Sequence, residues 1–392
     1  MAPSFLCMLA LVVGLLGLPS LAETTCRNAE GCTGNASAEE GSFLQAAVWS
    51  HAPVSLASQA QNASPSSGNY LPVFFVHGVN SGEQDAGAIE RAIQRHNPGT
   101  WFKAIPLFQN WDSIGSTNMM GQIHNGEGTY RAFIEKCVKD EPAVFKDGFH
   151  LVCHSQGGLT CRGLISMWDG HMVKSFISLA GPQQGVVGFK GYEKHIPESV
   201  RTLIVDGMFY HQAVQNWLTI ANYWKDMSQH TDYLQWSDFL AVINNEAPSY
   251  ESGKRCQHSG LFCAPSGMCH IAARDLTCIM DLDKIDTGFN ANPNYVTNLL
   301  ALKHAIFFGS PADKTIVPWQ SSVWGYYKEG STENSEDNIV NYSDTSLGLK
   351  NLVPLQQMID DGRAKLIVKD GIEHTHWYEK EEIVDWYIEY LY

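Results

Sequence analysis

Apolar positions in this chain fall into short unbroken runs separated by longer stretches with helical spacing. Pro72–Val76, Trp101–Pro106, Phe149–Cys153, Val173–Leu179, His304–Phe308 and Ala364–Val368 are rich in Val, Ile, Leu and Phe, the composition of strands buried on both faces. Between them, Ala86–Gln94 and Tyr130–Val138 read as helices, and Gln156–Met167 places Leu159, Leu164 and Ile165 on one helical face. This alternation predicts a mostly parallel sheet with helices on both faces and a ligand site at the carboxyl ends of its strands. From Gly185 to about Asn298 the alternation lapses into a segment rich in Trp, Tyr and Met. That segment, about 186–298, is read as a helical cap inserted between strands over the active site. Glu379–Tyr392 is read as a closing amphipathic helix.

The period changes from strand to helix at Ser155, within Cys153-His154-Ser155-Gln156-Gly157. A strand that turns sharply into a helix lifts one side chain out of the sheet, and glycines let the helix pass beneath it; this is a nucleophile elbow, with Cys where its first glycine is usual. A serine hydroxyl needs a base and oxyanion donors to act as a nucleophile. In an α/β-hydrolase fold the acid and the histidine follow the serine in chain order. His304–Phe308 leads into Gly309-Ser310-Pro311-Ala312-Asp313, and Ala364–Val368 leads towards Gly371-Ile372-Glu373-His374. Asp313 and His374 are therefore expected to complete a triad with Ser155. Upstream, His77-Gly78-Val79 follows the first strand, so the N–H groups of Val79 and Gln156 are the expected oxyanion hole. His376 competes with His374, and the pair also has the form of two metal ligands. No cluster of carboxylates or cysteines completes such a site, so neither metal nor cofactor is expected.

Residues 1–22 have the form of a signal peptide: an apolar stretch from Phe5 to Leu18 before Pro19 and a small-residue end. Residues 23–69 read as a flexible leader and 70–392 as the catalytic domain. Asn35, Asn62 and Asn341 each open an Asn-x-Ser sequon that suits a secreted chain. No later apolar run is long enough to span a bilayer, so no integral membrane segment is expected in the mature chain. The formal net charge of −15 argues against nucleic acid as a partner.

Ten cysteines in a secretory chain imply disulfides. Cys153 and Cys161 flank the nucleophile closely enough to bridge across the elbow, and Cys26 with Cys32 forms a local candidate pair. Cys256, Cys263, Cys269 and Cys278 can pair among themselves in three ways, zinc being the rival reading. Cys137 is then left as a thiol on a helix.

The elbow through Arg162, Ser175-Phe176-Ile177-Ser178-Leu179, Pro182-Gln183-Gln184-Gly185, Asn222-Tyr223-Trp224, Pro318-Trp319-Gln320-Ser321-Ser322 and Gly371-Ile372 with His374-Thr375 resemble the palmitoyl-protein thioesterases, above all their second, lysosomal type. The likeness runs from about Leu71 to the end of the chain. It implies that Ser155, Asp313 and His374 are nucleophile, acid and base, that Cys153 is bonded to Cys161, and that the enzyme releases fatty acid from acyl-CoA or S-acylated thiols. It further implies residence in the lysosome, with secretion as the alternative, and acyl-CoA favoured over acylated proteins. The alternative reaction is hydrolysis of oxygen esters by a lipase or carboxylesterase. Val186-Val187, the cap aromatics and Val323-Trp324 are the expected walls of an acyl groove. The segment from about Ser252 to Asn294 is an insertion the resemblance does not cover.

Overall fold

The computed structural model describes residues 70–110, 112–115, 117–123, 126–188, 198–205, 207–247, 262–263, 269–270 and 292–392. The expected signal segment and leader, with Asn35, Asn62, Cys26 and Cys32, lie outside the described residues, as do Cys256 and Cys278.

Six strands form one parallel sheet: β1 (Val73–Val76), β2 (Phe102–Ala104), β3 (Phe149–His154), β4 (Val173–Leu179), β5 (His304–Gly309) and β6 (Ala364–Val368). Their spatial order is 2-1-3-4-5-6. The order reverses between β1 and β3, the switch point at which open α/β sheets hold ligands. β1 and β3 are buried along their whole length, as their unbroken apolar runs require. β2 is shorter than its apolar run because it lies at the sheet edge, paired only with β1.

The pleat divides the strand side chains between two cores. Val73, Phe75, Val152, Ile177, Ile306 and Phe308 face Ile89 and Ile93 of helix α1 (Gly87–His96) together with Trp377, Ile383, Val384 and Tyr387 near the C-terminus. Phe74, Val76, Leu151, Phe176 and Phe307 face the other way. They meet Tyr130 and Ile134 of α2 (Tyr130–Asp140), Leu159, Leu164 and Ile165 of α3 (Gln156–Met167), and the cap aromatics. Helix α2 begins where Thr129 accepts the Ala132 N–H, and α4 (Pro293–Leu300) begins where Asn292 caps Asn294 and proline takes the first turn.

The C-terminal helix expected from Glu379 differs in form. A single turn, α5 (His376–Glu379), is followed by 3-10 segments Glu381–Trp386 and Ile388–Tyr390. A 3-10 turn eclipses residues three apart, which sets Val384, Tyr387 and Tyr390 on the buried side, and Phe308 packs against Trp377, Trp386 and Tyr387. The stretch expected to form a cap is likewise built from short pieces, among them Glu198–Val205, Gln212–Gln215, Thr219–Asn222, His230–Trp236 and Leu240–Ile243. Within the cysteine-bearing segment, Phe262–Cys263 and Cys269–His270 form an antiparallel ribbon whose backbone register pairs Cys263 with Cys269. Cys137 is a free, half-buried thiol on α2.

Candidate functional site

β3 ends and α3 begins at Ser155, which carries φ 54° and ψ −127°. A non-glycine residue in that region costs on the order of 1–3 kcal/mol and persists only where its surroundings enforce it. Two glycines make the enforcement possible. A Cβ on Gly157 would run into the carbonyl oxygens of Val76 and His77, and one on Gly78 would lie 2.8 Å from the Ser155 Cβ. The end of β1 therefore lies directly against the elbow. Cys153, the last-but-one residue of β3, is disulfide-bonded to Cys161 in the second turn of α3, with Cα atoms 6.6 Å apart.

The loops after β5 and β6 bring Asp313 and His374 to this serine. His374 Nε2 lies 2.9 Å from Ser155 Oγ, and His374 Nδ1 lies 2.7 Å from Asp313 Oδ2. A carboxylate can only accept, so Nδ1 carries the ring proton and Nε2 is free to accept the serine proton. The other Asp313 oxygen accepts the N–H groups of Thr315 and Ile316 at 2.9 and 3.1 Å, so the buried carboxylate is satisfied at both ends. Ser310 Oγ accepts from Ala312 N and from Ile372 N, tying the acid loop to the histidine loop. His376 starts α5 and reaches neither Ser155 nor Asp313 among the described contacts.

Val79 follows the close-packed Gly78, and Gln156 opens α3, where a first-turn N–H has no helical acceptor. Among the described residues no protein acceptor takes either N–H. Ser113, in the turn Asp112–Gly115, braces both residues. Its Oγ accepts from Asn80 N at 2.7 Å, and its carbonyl accepts from the Gln156 side chain at 3.0 Å. Thr219 of the cap donates to the same carbonyl at 2.8 Å.

Three features were not singled out from the sequence: Ser113, the His77 ring and the His154 ring. His154 donates Nε2–H to the His374 carbonyl at 3.0 Å, while its Nδ1 is buried without a partner among the described residues. Burial, then the nearby His374, keep its imidazole well below the ordinary histidine range, so it is a neutral ring. A buried histidine next to the elbow serine was the one available signal for it.

The quoted motifs meet each other in space. Gln183 N donates to Ser321 O at 3.1 Å and Gln184 N to Ser321 Oγ at 3.0 Å. Asn222 accepts from Met119 N and donates to Gln215, and Val186 bridges to Trp224. Trp324, expected in an acyl groove, is instead 2% exposed, with Arg162 over its ring and Phe307 and Tyr342 at its edges. A buried guanidinium needs that cover as well as its bonds to Gln183 O and Asn244 Oδ1. Asn341 lies exposed before the turn Tyr342–Asp344, open to modification. Among the described residues no group of three or more His, Cys, Asp or Glu is arranged to hold a metal ion.

Comparison with known proteins gives the same family. The chain is 29% identical to the human lysosomal thioesterase PPT2 over 332 residues, covering 83% of this chain and 89% of that one. It is 27% identical to the Xenopus laevis lysosomal thioesterase PPT2-B over 321 residues, covering 82% and 92%. Among solved structures, the thioesterase domain from the curacin biosynthetic pathway aligns over 83% of this chain and 92% of its own, with a TM-score of 0.33 and 12% identity. The palmitoyl protein thioesterase family profile matches residues 72–374, a span that holds the elbow serine, the aspartate and the histidine, and the chain belongs to that family of thioester hydrolases.

Proposed function

We propose that this enzyme hydrolyses long-chain acyl thioesters by acyl transfer through Ser155. The observation that carries the reading is the unbroken chain of contacts from Ser155 Oγ to His374 to the buried Asp313. Ser155 attacks the thioester carbonyl as His374 Nε2 takes its proton, and Asp313 keeps the other ring nitrogen protonated and stabilises the imidazolium. The carbonyl oxygen becomes an oxyanion held by the N–H groups of Val79 and Gln156. The tetrahedral intermediate collapses, the thiol leaves with the proton from His374, and water deacylates the serine by the same route.

The substrate is a small-molecule acyl thioester or an S-acylated peptide, and the relatives named as lysosomal point to the lysosome as its site of action. No helix among the described residues is long and apolar enough to cross a membrane. Asn341 is the glycan acceptor on the described surface.

Three measurements test this. A fluorophosphonate probe should label wild-type protein at Ser155 and leave Ser155→Ala unlabelled, with turnover in that variant down by on the order of a millionfold. Matched palmitoyl thioester and oxygen-ester substrates should favour the thioester in kcat/KM; preference for the oxygen ester would make this a lipase or carboxylesterase with the same machinery. An acyl-CoA series beside one S-palmitoylated protein then settles which acyl carrier it prefers.

A further inference from the structure

His77 is 2% exposed, and both of its ring nitrogens face backbone carbonyls: Nδ1 lies 2.8 Å from Gly78 O and Nε2 2.9 Å from Leu107 O. A carbonyl oxygen accepts only, and a neutral imidazole has one N–H. The shorter of the two contacts is the one at Nδ1, where the ring carries its N–H. The titratable groups facing it are His154 of β3, kept neutral by burial, and Tyr130 of α2, whose hydroxyl donates to the same Leu107 carbonyl at 3.4 Å.

The Gly78 carbonyl and the Val79 N–H are the two ends of one planar peptide unit. A donor on that oxygen fixes the plane and draws electron density from the nitrogen, and hydrogen bonds chained through an amide strengthen one another by about 10–30% each. We propose that His77 is a positioning residue of the oxyanion hole, whose Nδ1–H holds and polarises the Gly78–Val79 peptide so that the Val79 N–H meets the developing oxyanion as a stronger, aimed donor. Asn80 N, bound to Ser113 Oγ, fixes the far side of Val79. The peptide is thereby held from both flanks while its N–H remains free for substrate. The proposal rests on the triad reading given above.

Two substitutions separate this role from simple packing. An asparagine amide nitrogen occupies the place of Nδ1 and can still donate to Gly78 O; a glutamine amide reaches the place of Nε2 and serves Leu107 O alone. Turnover of palmitoyl-CoA and inhibition by a long-chain trifluoromethyl ketone, which adds the serine oxygen to give a bound oxyanion, are measured on both variants. His77→Gln should lower kcat by about tenfold to hundredfold, short of the 10²–10³ lost when an oxyanion donor is removed outright. KM should stay within about twofold and ketone affinity should fall in step with kcat, whereas His77→Asn should stay within about threefold of wild type in both. Equal losses in the two variants, or a loss confined to KM, would overturn the proposal. Should either variant fail to fold, histidine-selective 15N spectra of wild type decide: a protonated Nδ1 on His77 supports it, and a bare Nδ1 overturns it. Failure of wild type to react with the fluorophosphonate would place the fault in the triad reading, and this proposal would fall with it.

Discussion

His154 and His374 are joined by a hydrogen bond from the His154 ring to the His374 carbonyl at 3.0 Å, with ring centroids 4.8 Å apart. The residue before Ser155 thus grips the backbone of His374, independently of the contact between serine and imidazole. Removing that grip lets the base drift, and a misplacement of about 1 Å can cost on the order of a hundredfold in rate. His154→Ala is expected to lower kcat by about tenfold to hundredfold with little change in KM, and His154→Gln, which keeps an N–H in reach, to recover much of it. Steady-state kinetics on the three proteins check this; an unchanged kcat in the alanine variant would dismiss the brace.

Asp313→Asn should leave the fold intact and lower turnover by about 10⁴, because an amide beside Nδ1 permits the wrong tautomer. His374→Ala should be at least as damaging, and His376→Ala mild, since His376 touches neither partner. Kinetics paired with thermal unfolding would expose a wrong assignment as a reversed ranking of the two histidines.

The Cys153–Cys161 bond spans a sequence separation of 8. Closing so short a loop in the unfolded chain contributes about 2–3 kcal/mol. The double alanine variant should unfold at correspondingly lower denaturant, and non-reducing peptide mapping of wild type should recover the two cysteines in one linked pair. Recovery of either as a free thiol would contradict the bond.

Acid should destabilise the fold through His150 as well as His154. His150 is buried in β3 with both ring nitrogens unpartnered among the described residues, and burial pushes it down to about 3, assisted by nearby Lys303. Its folded value lies below the unfolded value of about 6.5. Below that pH the unfolded chain takes up a proton that the folded chain refuses, so stability is lost as pH falls. At about 1.4 kcal/mol per pH unit, His150 alone costs about 2 kcal/mol between pH 6.5 and 5. Denaturant unfolding at pH 7.5 and 5.0 should show a smaller acid loss in His150→Phe than in wild type; equal losses would mean this ring does not titrate on unfolding.

Lys225 Nζ sits 2.9 and 3.1 Å from the Glu246 oxygens, both side chains almost fully buried. Burial raises the Glu246 carboxyl, but Lys225, His230 and the Tyr233 hydroxyl outweigh it and keep it below the usual carboxylate range. Glu246→Gln leaves a buried ammonium without its counter-charge and should cost about 3–5 kcal/mol. The double change Lys225→Met with Glu246→Leu should cost much less. A double-mutant cycle in urea checks the difference.

Much of this molecule could be read along the chain. β4 has the predicted limits, because a strand buried between neighbours needs an unbroken apolar run and little else in the chain produces one. β6 also keeps its predicted limits, but it is an edge strand paired with β5 alone and only Ala364 in it is buried, so the expectation of burial on both faces fails there. Ser155, Asp313 and His374 were legible because each follows such a run in a fixed order. Ser113 was not: it lies in a single short turn, and its importance comes from three partners distant in sequence, Asn80, Gln156 and Thr219. Trp324 was misread for a related reason. An aromatic after a motif looks like a wall for an acyl chain, and only the fold reveals that Arg162 covers it. The C-terminal segment had a helix-compatible apolar pattern, but packing three aromatics against Phe308 favoured the tighter turn.

The base of this site comes from a loop 219 residues downstream of the serine. At a synthesis rate of about 5–20 residues per second, a ribosome needs roughly ten to forty seconds to carry the chain from one to the other. Throughout that interval Ser155 exists without the imidazole that the proposed mechanism assigns to take its proton. Two further strands must also be added at the edge of the sheet beyond β4 before the acid and base loops stand beside it. In the proposed mechanism hydrolytic competence therefore arrives last in biosynthesis, and a chain truncated anywhere before His374 should have none.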